Sequence, residues 1–274
     1  MFQPKTVYRL RDTVSLTQIF ECGQCFRWEA LGPESYHGVA FGREVSLSIS
    51  NGCLTADCPP SEFDAVWRPY LDLDRDYAAI RAAVSIDEHT AQAVAYGAGL
   101  RILQQEPWET LCSFILSQCN NIPRIRGIIA RFCAQYGRKL RENVFAFPTP
   151  ERIVAATEEE LRTVARCGYR APYVLAAARA AAGGQLDWDA LRALPTDEAK
   201  ACLMTLPGIG DKVASCVLLF GLGKLDAFPV DVWMRRTINA LYGKNFDPVS
   251  AFGPYAGIAQ QYLFYRARSE HSNQ

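Results

Sequence analysis

Leu206-Pro207-Gly208-Ile209-Gly210 runs directly into Asp211-Lys212, and Asp231 follows nineteen residues after the lysine, inside Pro229-Val230-Asp231-Val232. A helix over 196–204, capped by Thr196 or Asp197, would enter the turn, and a second helix over 211–220 would leave it. Gly208 and Gly210 permit tight backbone conformations and remove side chains that would block an approaching anion. Backbone N–H groups at the start of the second helix then face outward. Such groups bind phosphate without reading bases, so they would position a nucleic-acid strand. The pattern predicts a helix-hairpin-helix unit over about residues 196–221. The plainer alternative is an ordinary corner between two helices. Hairpin carbonyls, here those of Met204, Leu206 and Ile209, are candidates to hold a Na+ or K+ ion. No other cofactor is expected.

Lys212 stands beside that anchor. An amine attacks carbon only when neutral. The electropositive first turn of a helix, and burial near Val213 and Cys216, both favour the neutral form. Asp231 precedes an apolar-patterned helix over 232–241, where aspartate is a good N-cap. A cap is rigidly held, which suits a carboxylate facing positive charge that develops on a sugar as its base departs. Together the two predict nucleophilic capture of C1′, a Schiff base, and β-elimination that cuts the strand on the 3′ side. The alternatives are a solvated lysine and a purely structural cap.

The rest of the chain bounds this chemistry. Of 274 residues 49% are apolar, enough for a sizeable core. Apolar runs fall far short of a bilayer span, and residues 1–5 carry no apolar signal core, so a soluble intracellular protein is expected, cytoplasmic or nucleoid-associated. Basic and acidic residues number 29 each, which argues against a uniformly basic coat. The charge is segregated, however: residues 51–100 hold three basic and eight acidic side chains, and residues 101–182 hold twelve and seven. That separation allows a local phosphate-binding face. Ten cysteines are scattered and none lies beyond Cys216. Cys22-Gly23-Gln24-Cys25 has no second pair at zinc-ribbon spacing, so reduced thiols are expected.

Asn51-Gly52 between Ser46–Ile49 and Cys53–Ala56 is a hairpin signal, and Phe26-Arg27-Trp28 and Tyr36–Ala40 suggest further strands. Pro59-Pro60-Ser61 opens a helical stretch with Ser61 as cap. From about residue 96 apolar residues recur at three- and four-residue spacing, over 108–116, 122–132 and 173–182. The fold class predicted is α+β: an N-terminal antiparallel-sheet α/β domain over 1–95, then a mainly helical region over 96–274 containing the hairpin.

With these residues in place the chain resembles the helix-hairpin-helix Gly/Pro–Asp superfamily of base-excision glycosylases. Within it, the chain looks like the 8-oxoguanine DNA glycosylase/AP lyase family, over about residues 22–268. Gly23-Gln24-Cys25-Phe26-Arg27-Trp28 is similar to that family's G-Q-x-F-R-W segment. The resemblance implies that the Gly23 carbonyl accepts from the N7–H that 8-oxoguanine has and guanine lacks. It also implies a base pocket of Cys216, Gln260 and Phe264. Gln260 and Phe264 would share one helix face at a spacing of four. Asn120-Asn121-Ile122-Pro123-Arg124 resembles the segment that fills the gap behind an extruded base. Arg124 and Arg170 match arginines that bond the orphaned cytosine, and Tyr169 matches an aromatic wedge. The chain departs from the family at Cys119, where members usually carry the first of three asparagines, and at Trp233, where some carry histidine. Implied partners are duplex DNA with a damaged purine and no membrane, with the protein a monomer. Two other readings are an alkylpurine glycosylase of the same superfamily, against which Lys212 and the Gly23 segment speak, and a non-catalytic DNA-binding module.

Overall fold

The computed structural model describes residues 5–272. Residues 1–4, part of the stretch expected to lack a signal core, lie outside it. Five antiparallel strands form the N-terminal sheet: β1 (Thr6–Arg9), β2 (Trp28–Gly32), β3 (Ser35–Ala40), β4 (Arg43–Ser50) and β5 (Cys53–Ala56), in the order β1-β5-β4-β3-β2. The β4–β5 register pairs Ser50 with Cys53 across Asn51-Gly52. Both turn residues adopt positive φ, 50° and 70°, as a tight hairpin matched to strand twist requires. Phe26 and Arg27 precede β2 rather than belonging to it.

Side chains from alternate strand positions and from helix α1 (Leu16–Glu21) fill one core. Phe20 stacks on Trp28 at 3.9 Å between ring centres, and the Trp28 indole N–H donates to the Tyr70 hydroxyl at 2.9 Å. The helical stretch after Asp57 opens one residue earlier than Ser61. Pro59, extended, occupies the cap position and Pro60 the first helical position, where a missing N–H costs nothing. The chain then passes through a π-helical turn at Phe63–Trp67, which buries both aromatic ends.

A second core lies among helices. Those that position the site are α2 (Tyr77–Val84), α3 (Glu88–Tyr96), α4 (Pro107–Ser117), α5 (Ile122–Tyr136), α6 (Ala171–Ala182), α7 (Thr196–Met204), α8 (Asp211–Phe220), α9 (Val232–Tyr242) and α10 (Ala256–Ser272). The three periodic stretches of the sequence fall within α4, α5 and α6. Helix α8 is buried along nearly its whole length, from Val213 to Phe220. Each fully buried Val, Leu or Phe there contributes about 1.5–3 kcal/mol. Tyr77, Ile80, Val84 and Ala93 join this helical core, although they precede residue 96. So does Phe26, whereas its neighbour Trp28 packs under the sheet. A short hairpin of β6 (Lys139–Arg141) and β7 (Val144–Phe145), unforeseen in the sequence, follows α5. The fold is a small antiparallel sheet domain joined to a larger helical part. No helix among the described residues is long and apolar enough to cross a membrane.

The two cores are bolted together by Gln24. Its buried amide donates to the carbonyls of Ile19 and Arg101 at 3.0 and 2.8 Å and accepts from Leu103 N–H at 2.9 Å. The backbone on either side is also tied, the Cys22 carbonyl to Gln261 and the Gln24 carbonyl to Gln105. Gly23, between these anchors, is thereby presented from a fixed peptide.

Candidate active site

Helices α7 and α8 and the turn between them form the hairpin. Pro195, rather than Thr196 or Asp197, occupies the cap position of α7, and Thr196, inside the helix, donates its hydroxyl proton to the Asp226 carboxylate at 2.6–2.7 Å. The turn closes through bonds from Leu206 N–H to the Leu203 carbonyl and from Ile209 N–H to the Leu206 carbonyl, both 3.2 Å. Its glycines do different work. Gly208 has φ +78°, and a Cβ there would lie 2.2 Å from the Tyr173 ring. Gly210, the cap residue of α8, has φ −96°, and nothing stands within 4 Å of where its Cβ would be. The first glycine is needed by the fold, and the second leaves the helix N-terminus open to an incoming group.

Lys212 lies in the first turn of α8, partly buried. Its Nζ donates to Ser117 Oγ at 3.3 Å and sits 4.8 Å from the centre of the Phe114 ring. Asp231 is the N-cap of α9, accepting from Met234 N–H at 2.7 Å. Both side chains line one cavity of about 450 Å3, a size usual for small-ligand sites. Gly23, Phe26, Phe114, Ser117, Asn120, Asn121, Trp233, Phe264 and Arg268 line it too. A smaller recess of about 60 Å3 shares Gly23, Phe114, Lys212, Asp231 and Phe264 with that cavity and adds Cys216 and Gln260. All six residues expected at the chemistry and the base pocket therefore meet at one place.

Cys216 and Gln260 of the recess are buried. Cys216 is 2% exposed, and burial pushes its thiol up to about 11 against the pull of Lys212, so it is uncharged near neutrality. Cys22 and Cys25 are likewise buried free thiols. Gln260 is 5% exposed, and its Oε1 has no hydrogen-bond partner among the described residues. A buried polar atom without a partner costs about 1–3 kcal/mol, so this oxygen is poised for a ligand donor. Gly23 has φ +89°, and a Cβ there would touch Phe264 at 3.7 Å and Arg268 at 3.5 Å.

The orphan-base and wedge residues gather around the loop between α4 and α5. Cys119 is exposed at φ +47°, and Asn120 donates to the Leu116 carbonyl at 3.1 Å. Tyr169 is 51% exposed and its hydroxyl donates to the Gln118 carbonyl at 3.2 Å. Arg170 is 3% exposed, bonding the carbonyls of Gln118 and Cys119 through its guanidinium. In this state it braces the loop rather than standing free for a base. Arg124 is exposed on the first turn of α5, which Asn121 caps. The Gln118 amide reaches across to the Gly208 carbonyl at 3.0 Å, tying loop to hairpin. Phe114, Ser117 and Gln118 escaped the sequence reading, which saw helix 108–116 only as core. The signal available was a polar pair closing an apolar helix, three and four residues after an aromatic.

Residues 7–111 match the 8-oxoguanine DNA glycosylase N-terminal domain, and residues 112–249 match the HhH-GPD superfamily of base excision DNA repair proteins. The N-glycosylase/DNA lyase OGG1 of Arabidopsis thaliana is 33% identical over 92% of this chain and 76% of its own length. The Clostridium acetobutylicum 8-oxoguanine glycosylase/lyase, bound to double-stranded DNA with cytosine opposite 8-oxoguanine, superposes with a TM-score of 0.90 at 33% identity, covering 99% of this chain and all of that one. MBOgg1 in complex with a low-affinity DNA ligand superposes with a TM-score of 0.93 at 37% identity, covering 97% and 96%. On matches that span both domains and the cavity between their residues, the chain belongs to the 8-oxoguanine DNA glycosylase family of the HhH-GPD superfamily.

Proposed function

We propose that the protein is a bifunctional DNA glycosylase and AP lyase that excises 8-oxoguanine, paired with cytosine, from duplex DNA. One observation carries this: Lys212, Asp231, Gly23 and Phe264 line a single cavity next to a hairpin whose helix N-terminus is open. Gly210 and the first N–H groups of α8 hold a backbone phosphate beside the cavity. Extruding the purine costs a few kcal/mol. Stacking on Phe264 offsets part of that cost, at about 1–3 kcal/mol, and Tyr169 and Asn120 fill the duplex behind. The Gly23 carbonyl and Gln260 Oε1 then test the base edge for donors. Guanine offers no N7–H, which leaves an unpaired acceptor and about ten- to hundredfold discrimination.

The C1′–N9 bond breaks with its electron pair leaving on the purine, which takes up a proton. Asp231 faces the cationic sugar, and the Lys212 nitrogen bonds to C1′. Loss of an amine proton and opening of the C1′–O4′ bond give the imine. Removal of a proton from C2′ then expels the 3′ phosphate, and water hydrolyses the imine to free the lysine. Carbonyls of Met204, Leu206 and Ile209 would hold a monovalent cation under the same phosphate, although that of Leu206 already accepts from Ile209 N–H. The protein works as a monomer on the DNA of its cell. A panel of duplexes, with 8-oxoguanine opposite each base and with alkylated purines opposite thymine or cytosine, tests the assignment. Excision should be fastest for 8-oxoguanine opposite cytosine. Preferential release of an alkylated purine would overturn it.

A further inference from the structure

The amine of Lys212 meets two groups from one turn of α4. It donates to Ser117 Oγ at 3.3 Å and lies 4.8 Å from the centre of the Phe114 ring. The Ser117 proton is already committed to the Phe114 carbonyl at 2.8 Å. A hydroxyl has one proton and two lone pairs, so towards the amine this oxygen acts only as acceptor. The Phe114 ring is itself fixed, stacked on Phe220 at 5.5 Å and set edge-on to Phe26 at 5.8 Å. Its face is electronegative and attracts a second N–H.

A neutral amine has two N–H bonds and one lone pair. The amine also has the Cys216 thiol beside it, one turn along its own helix. With N–H bonds drawn back to Ser117 and the Phe114 ring, the lone pair is turned away from α4 towards the cavity that Asp231 shares. We infer that Ser117 is a positioning residue for the Lys212 nucleophile, holding its N–H bonds back against α4 so that the lone pair faces the anomeric carbon. This rests on Lys212 being the nucleophile. The contact is worth most in the transition state. As the C–N bond forms, the nitrogen becomes positive and its hydrogen bond to Ser117 becomes charge-assisted. Loss of the hydroxyl should therefore slow capture without weakening DNA binding.

The test compares Ser117→Ala and Ser117→Thr with the parent. Single-turnover borohydride trapping on an 8-oxoguanine duplex at saturating protein gives the rate of capture, and anisotropy gives Kd for the same duplex. Ser117→Ala should trap about tenfold more slowly, the cost of one hydrogen bond to a charged group. Its Kd should be unchanged, and Ser117→Thr, which restores the hydroxyl, should recover most of the rate. Trapping by Ser117→Ala at the parent rate would overturn the positioning role and leave the lyase reading intact. So would a loss explained by weaker binding, or one that threonine fails to restore. Absence of trapping by the parent itself would overturn both, which separates the two failures.

Discussion

Replacing the two hairpin glycines one at a time separates what the turn does for the fold from what it does for DNA. In Gly208→Ala the new methyl meets the Tyr173 ring 2.2 Å away, on a backbone held at φ +78°. The left-handed conformation costs an alanine about 1–2 kcal/mol relative to glycine. Forcing the ring aside adds about 1–3 kcal/mol, the usual range for overpacking. Together they make a loss of about 2–5 kcal/mol, or about 5–15 °C in Tm for a chain of this size. Gly210→Ala meets neither obstacle, since its φ is −96° and the space around it is open. Its folding cost is that of a poorer cap, at most about 1 kcal/mol. Its methyl would instead stand where a phosphate approaches the α8 N-terminus, lowering affinity for undamaged duplex about tenfold, the loss of one charge-assisted hydrogen bond. Thermal melts by circular dichroism and duplex titration by anisotropy read the two effects separately. Gly208→Ala melting within 2 °C of the parent (about 0.5–1 kcal/mol) would refute the steric argument. Gly210→Ala binding at parental affinity would refute the phosphate argument.

Further outcomes follow from the same geometry. Asp231→Asn keeps a good N-cap and should keep Tm, while single-turnover excision falls about 100- to 1000-fold, as for loss of a preorganised electrostatic group; excision within tenfold of the parent would return Asp231 to a structural role. Cys119→Asn places a residue tolerant of the left-handed region at φ +47°, and should stabilise the loop by about 0.5–1 kcal/mol and sharpen preference for cytosine opposite the lesion; an unchanged opposite-base profile would show that Cys119 does not face that base. Burial, then the neighbouring Glu109, lifts the Glu106 carboxyl from 4.5 to about 7, with Arg27 pulling it only partly back. The folded state therefore binds that proton more tightly than the unfolded chain. Its stabilising effect is complete below about pH 4.5 and lost as pH rises through about 7. Glu106→Gln should remove this decline and be more stable at pH 8 by on the order of 2–3 kcal/mol, seen in urea melts; parallel curves for parent and variant from pH 5 to 8 would contradict it.

Features governed by local backbone chemistry were legible in the sequence. Asn51-Gly52 forms its tight turn, α8 spans 211–220, and Asp231 caps α9, because each depends on residues adjacent in the chain. Where a distant group competes, local rules fail. Thr196 was expected to cap α7, but the helix starts one residue earlier, after Pro195, and the Thr196 hydroxyl donates to Asp226, thirty residues away. The two hairpin glycines look equivalent until Tyr173 is placed against only one of them. Arg170 has the right position for a base contact, yet its partners here are the carbonyls that its burial brings within reach. Ser117 showed in the sequence only as a polar residue closing an apolar helix, since its meaning depends on α4 and α8 crossing so that their side chains touch. Gly23 and Gln260 became readable through resemblance. Periodicity alone would have assigned them to a core strand and a helix surface.

The most direct test of the account is to find the atom that captures the sugar. The protein would be incubated with a duplex carrying 8-oxoguanine opposite cytosine, reduced with borohydride and digested, and the peptide bearing the nucleotide adduct sequenced by mass spectrometry. The adduct should lie on Lys212, and Lys212→Gln should yield none. An adduct on another residue, or undiminished trapping by the variant, would contradict the account at its centre.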